Sequence, residues 1–273
     1  MLTDQLPQIF RERAACGTGF ITHLSARPSH DLVRDALSTV ARLAHRGAIA
    51  ADARTGDGAG ILTQIPRKLI ARELAQRGIT APGDFAVGMF MLERDAFGAA
   101  RQHAKQIIAD AIRARGMTLL TWRAVPIDLD ALGEHARKIA PHIEQAIITR
   151  PAHLDGDAFE RALLLARKEI ERHAREGELR LYVVSLSART IVYKGLFVAP
   201  QLARFYLDLA NPLYESALAL FHQRYSTNTF PTWERAQPFR MSCHNGEINT
   251  LQGNIAWMRA REPFLISDAW NES

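Results

Sequence analysis

Cysteine is scarce in this sequence: Cys16 and Cys243 are the only two among 273 residues. Two thiols exclude a disulfide framework and any CxxC metal site, and both are expected to be reduced. The other donors do not rescue a metal centre. Cys243 and His244 are adjacent and would point to opposite faces of a strand, and His222 is too isolated to complete a set. Long apolar runs are missing as well. None approaches the roughly 20 residues that span a bilayer, and MLTDQLPQIFRERAAC has no continuous apolar stretch of signal-peptide length. No membrane partner and a cytoplasmic location are therefore predicted. Basic charge is not concentrated either. Lys and Arg number 34 against 29 Asp and Glu, a net +5. These charges alternate in sign, as in ARKEIERHAREGELR, which reads as a solvated helix face and not a nucleic-acid surface.

What is present is an ordinary globular composition, 47% hydrophobic and 23% charged, long enough to bury a sizeable core. Helical and strand periodicities alternate along it. GTGFITHL reads as a strand, Ser29 as the N-cap of a helix through LVRDALSTVARLAH, and GILTQIP and FAVGMFML as strands each followed by a helix. TLLTWRAVP and QAIITR are further strands, and DAFERALLLARKEIERHARE is the clearest amphipathic helix. RLYVVSLS and TIVYKG, separated by a short connection, suggest a hairpin. SALALFHQRYS and MSCHNGEI read as strands and NTLQGNIAWMRAREPF as a helix. The pattern is mixed α and β, with helices packed on sheets in one domain.

Several stretches carry chemistry. GDGAG could suggest a dinucleotide site, but a helix precedes it and a strand follows, the reverse of that fingerprint. A tight loop permitting close backbone approach is the better account. Cys16 becomes a nucleophile if the fifteen residues before it are removed, because its thiol then shares a residue with a free α-amine. Such an amine has a pKa of about 7.7 to 8.0 and can take the thiol proton near neutral pH. Asn245 and Gly246 together supply a side-chain amide and a backbone N–H that can converge on an oxyanion, although Asn-Gly is also a common turn. Arg224 offers a planar fork suited to a carboxylate.

In chain order, Cys16-Gly17-Thr18-Gly19-Phe20, His45-Arg46-Gly47-Ala48 and Asp57-Gly58-Ala59-Gly60-Ile61 resemble the opening of class II glutamine amidotransferases. HQRYSTNTFPTWERAQPFR and HNGEINTLQGN resemble, more narrowly, the glutaminase domain of glutamate synthases. The resemblance implies an α+β fold, a four-layer αββα sandwich of the N-terminal-nucleophile hydrolase type. It implies hydrolysis of glutamine to glutamate and ammonia through a cysteinyl thioester. Cys16 would be the nucleophile, Asn245 and Gly246 the oxyanion hole, and Arg224 the holder of the α-carboxylate, with Tyr225 and Thr227 shaping the pocket. Arg46, Asp57 and Gly58 would support the nucleophile, and residues 1–15 would be a propeptide before a domain at 16–273. No metal and no cofactor are implied for this chain. In a full-length enzyme, the resemblance implies a synthase domain using FMN and an iron–sulfur cluster on 2-oxoglutarate, and a small NAD(P)H-oxidising subunit. The family's glutaminase domain runs further than this sequence, which lacks a counterpart of the aspartate that binds the α-amino group. A C-terminally incomplete sandwich is therefore expected. The alternatives are another class II amidotransferase, or a non-catalytic truncated remnant or interaction module of the same fold.

Overall fold

The computed structural model describes residues 17–52, 54–95, 97–224, 229–244 and 250–267. Two antiparallel four-stranded sheets form its centre. One is built from β1 (Thr18–Thr22), β8 (Leu218–Gln223), β2 (Ala59–Gln64) and β7 (Thr190–Gly195), in that spatial order. The other is built from β4 (Thr118–Ala124), β5 (His142–Thr149), β3 (Phe85–Leu92) and β6 (Leu181–Ser187).

Strand β3 explains how the layers stack. All eight of its residues are buried, as a strand covered on both faces requires. Phe85, Val87, Met89 and Met91 point into the core with the first sheet. Ala86, Phe90 and Leu92 point the other way, into a second cluster with α3 (Ala99–Ala114) and α5 (Gly156–Glu176). The stripe Phe159, Leu163, Ala166 and Ile170 of α5 recurs every three to four residues and meets that face. On the far side of the first sheet, α1 (His30–Arg42) lies against β1 and β8. Ser29 caps this helix as expected, its hydroxyl accepting from the Leu32 N–H at 3.2 Å. The result is an α+β sandwich with helices outside both sheets. Each fully buried Leu, Ile or Phe contributes about 1.5–3 kcal/mol.

A polar knot joins the layers at one end. Arg123 on β4 donates to Asp208 at 2.7 and 2.8 Å and to Gln145 at 3.0 Å, and pairs with Glu73 of α2 (Arg67–Gln76). Removing one member would strand a buried charge at a cost of about 3–5 kcal/mol.

Two expectations are corrected. RLYVVSLS and TIVYKG do not form a hairpin: β6 pairs with β3 and β7 with β2, so the chain crosses between sheets at Ala188 and Arg189. Neither linking residue has the positive φ that tight hairpin turns demand. Instead the Ser187 hydroxyl accepts the N–H groups of Arg189 and Thr190 at 2.9 and 3.2 Å, fixing the corner. The described part of MSCHNGEI, Met241 to His244, is not a strand. Met241 points to solvent, and the Phe239 N–H closes a turn on the Ser242 carbonyl at 2.9 Å. The helix read in NTLQGNIAWMRAREPF is α7 (Leu251–Arg261), which has no buried residue; the short helices α4 (Glu134–Lys138) and α6 (Leu202–Phe205) lie earlier in the chain.

Candidate active site

The quoted motifs meet at one end of the first sheet, where β8 finishes between the starts of β1 and β2. Antiparallel pairing sets Thr18 against His222 and Ala59 against Gln223. Just beyond, the Gln223 N–H donates to the Gly17 carbonyl at 2.7 Å and the Arg224 N–H to the Gly58 carbonyl at 2.8 Å. A side chain on Gly17 would overlap the Gln223 carbonyl. Gly58 has φ +126°, and a Cβ there would stand 2.9 Å from that of Ala236. Both glycines are therefore required by close approach and backbone conformation.

The HRGA segment reaches the same place by a different route. A 3-10 turn at Ala44–Arg46 ends at Gly47, whose missing side chain makes room for the carboxamide of Gln223. The Asp57 N–H donates to the Ala48 carbonyl at 3.2 Å, and Ile49 bridges to Gly56, so the loop before β2 folds back on this segment.

Arg224 sits at the centre, 8% exposed. Its Nη1 donates to the Asp57 carbonyl at 3.3 Å and its Nη2 to Thr229 Oγ1 at 2.8 Å. Burial pushes its pKa below the usual arginine value; the Asp57 charge opposes that shift and Arg235 adds to it. An arginine remains protonated under such a shift, so the site holds a fixed, half-desolvated positive charge.

Of the residues singled out from sequence, Asp57, Gly58 and Arg224 are thus in direct contact, and Arg46 joins them through its neighbour Gly47. Cys16, Tyr225, Thr227, Asn245 and Gly246 lie outside the described residues. The tight-loop reading of GDGAG holds, since β2 follows the glycines and no helix does.

Three residues at the site escaped the sequence reading. Gln223, 1% exposed, hydrogen-bonds the surrounding loops through its side chain. Gln237 accepts the His244 N–H on Oε1 at 2.8 Å, immediately before the Asn245-Gly246 pair. Lys194 is wholly buried on β7, its Nζ donating to the Glu234 carbonyl at 2.8 Å and the Tyr182 hydroxyl at 3.1 Å. Its ammonium also lies over the Phe239 and Tyr182 rings at 4.5 and 4.8 Å. Lys194 thereby fastens residues 233–240 across the sheet, where Ala236 packs on Gly58 and the Gln237 carbonyl covers Gly60. A polar residue inside the apolar runs LALFHQ and TIVYKGLF was the available signal, since a buried amide or ammonium must be partnered.

Burial, with Arg240 nearby, pushes the Lys194 ammonium down to about 7 from 10.5. Between those values the unfolded chain binds the proton and the native chain does not, so this group adds stability as pH rises through that window. The thermal midpoint of the wild type, relative to Lys194→Met, should therefore rise between pH 6.5 and 9. Parallel profiles in a fluorescence melt at each pH would show that Lys194 titrates normally.

Over residues 16–273 the sequence matches the family described as glutamine amidotransferases class-II, and the chain belongs to that family. Within it, the chain is similar to glutamate synthases. It is 45% identical over 269 residues to ferredoxin-dependent glutamate synthase 2 of Synechocystis, covering 98% of this chain and 17% of that protein. It is 43% identical to the glutamate synthase [NADPH] large chain of Azospirillum brasilense, covering 92% of this chain and 17% of that one. Against the Bacillus subtilis large chain it is 42% identical over 281 residues, or 100% of this chain and 18% of that one. The chain thus spans about a sixth of the length of these relatives.

Proposed function

We propose that this chain is the glutamine-hydrolysing unit of a glutamate synthase. The observation that supports it most is the meeting of three sequence-distant motifs at one sheet end: Gly17 on Gln223, Gly58 on Arg224, and Asp57 on the Arg224 guanidinium.

In this reading residues 1–15 are removed, and the new α-amine of Cys16 accepts the thiol proton. Arg224 holds the glutamine α-carboxylate in a bidentate pair, and Tyr225 and Thr227 shape the pocket. The Cys16 sulfur attacks the side-chain amide carbon. Asn245 and Gly246 donate to the resulting oxyanion. The tetrahedral adduct collapses as the α-ammonium returns its proton to the departing nitrogen, which leaves as ammonia. Water then attacks the thioester carbon and gives its proton to the amine; glutamate departs and the thiol is restored. Arg46 and the Asp57-Gly58 turn brace the nucleophile from behind.

In the full-length enzyme the ammonia would be used on 2-oxoglutarate by a synthase domain with FMN and an iron–sulfur cluster, supplied by a small NAD(P)H-oxidising subunit or a ferredoxin. The donors of this chain do not fit that cluster. Its two cysteines cannot make a cluster site, and no group of three or more metal-ligating side chains occurs among the described residues. We assign the cofactors to the rest of that enzyme, in the cytoplasm. No helix among the described residues is long and apolar enough to cross a membrane.

The test is the intact mass of the purified chain before and after an electrophilic glutamine analogue. Loss of residues 1–15 and one adduct on Cys16 is expected. A chain that carries no adduct at saturating analogue would overturn the glutaminase reading and leave a non-catalytic member of the family.

A further inference from the structure

The Gln223 side chain joins three separate segments to its own strand beside Arg224. Its Oε1 accepts the Ala199 N–H at 2.6 Å, tying in the 3-10 turn after β7. Its Nε2 donates to the Gly58 carbonyl at 3.4 Å and to the Arg224 carbonyl at 3.3 Å. Gly47 closes against the same carboxamide, with φ −111° and no conformational need to be glycine. The close approach to Gln223 is thus what excludes a side chain at Gly47. On the backbone side, the Gln223 N–H holds the Gly17 carbonyl at 2.7 Å. A leucine or methionine would fill the volume in this apolar strand, but it would leave the Ala199 N–H to find another partner in a dry place and the Gly58 carbonyl held by the Arg224 N–H alone.

The geometry points to Gln223 as a positioning residue for glutamine recognition: its buried carboxamide fixes the Gly58 and Arg224 main chain, and so the direction of the Arg224 guanidinium toward the substrate carboxylate. This inference rests on the glutaminase reading above. The Asp57 carbonyl that receives Arg224 Nη1 belongs to the peptide linking it to Gly58. A shift of that turn therefore moves the main-chain anchor of Arg224 and the partner of its Nη1 together, while Nη2 stays on Thr229. Orientation of this kind is sensitive to displacements of about 1 Å.

Gln223→Met keeps the volume and removes the hydrogen bonds. Steady-state glutamine hydrolysis and calorimetric binding of L-glutamate, which shares the α-carboxylate, are the readouts. KM for glutamine and the glutamate Kd should each rise about tenfold, while the melting temperature falls by only a few degrees. Gly47→Ala, which pushes the carboxamide aside without deleting it, should reproduce both increases. The pair Gln223→Ala with Gly47→Ala should be no worse than Gln223→Ala alone, because truncation removes the overlap. Unchanged KM and Kd in folded Gln223→Met, or effects of the two substitutions that multiply in the pair, would overturn the inference while leaving the glutaminase reading intact. If Gln223→Met does not fold, Gly47→Ala with wild-type KM and Kd has the same force. A wild-type chain that neither hydrolyses glutamine nor binds glutamate would overturn both.

Discussion

Cys16→Ala should abolish glutamine hydrolysis, lowering kcat by about a thousandfold or more, as removal of a catalytic nucleophile does elsewhere. The reason is chemical. Thioester formation needs a thiolate, and in the proposed function the α-amine of the same residue, with a pKa of about 7.7 to 8.0, is the base that generates it. Hydrolysis by the wild type should accordingly rise with pH through that amine's range, whereas glutamate binding should not follow it. The thermal midpoint should change little, because the nearest described residue in the chain that packs on either core cluster is Ile21, five positions on. Ammonia release in a coupled assay gives the rate, and a melt on the same sample establishes that the variant is folded. Cys243→Ser is the matched control. Cys243 is half-buried, its sulfur 3.6 Å from Thr18 Oγ1 and 3.8 Å from the Phe221 carbonyl. Its replacement should leave turnover within about twofold of wild type, because a serine hydroxyl has nearly the same shape and can keep both contacts. Retention of activity in Cys16→Ala, or its loss in Cys243→Ser, would move the nucleophile away from residue 16.

The elements of this fold were legible wherever periodicity and capping act locally. Ser29 and the stripe of α5 declare their helices, and FAVGMFML declares a strand, which the sandwich then buries on both faces. Which strand lies beside which was not legible, because pairing is decided by packing across the sandwich. The hairpin expected of β6 and β7 fails for that reason, although the absence of a turn-forming residue at Ala188 and Arg189 was already a warning. The site divides in the same way. Arg224, Asp57 and Gly58 stood out through the motifs that carry the family resemblance, and they do touch. Gln223 and Lys194 did not stand out, because each is a single polar residue within an apolar run. Their significance comes from partners more than 20 residues away in sequence, such as Gly58 at a separation of 165 and Glu234 at 40. Gly17 and Gly47 were quoted as parts of motifs. Why each must be glycine emerges only from its contact with Gln223.

Arg224→Lys should cost about a hundredfold in kcat/KM for glutamine, nearly all of it in KM. A lysine keeps the charge but cannot offer two parallel N–H donors to a carboxylate. It also cannot reach the Asp57 carbonyl and Thr229 Oγ1 at once, so even its point charge would lose the frame that now holds the guanidinium. The α-carboxylate is remote from the amide that reacts, and it binds equally in the ground and transition states. Loss of such uniform binding raises KM and spares kcat. A second substrate isolates the contact. The α-amide of glutamine lacks the carboxylate and should be hydrolysed far less efficiently than glutamine by the wild type. Arg224→Lys should shrink that discrimination toward unity, because the variant has little left to lose. If instead the variant keeps the wild-type preference for glutamine, Arg224 serves the fold through Asp57 and Thr229, and the carboxylate is held elsewhere. If kcat falls with KM, the same contact also orients the amide for attack, and the guanidinium contributes to catalysis as well as to binding.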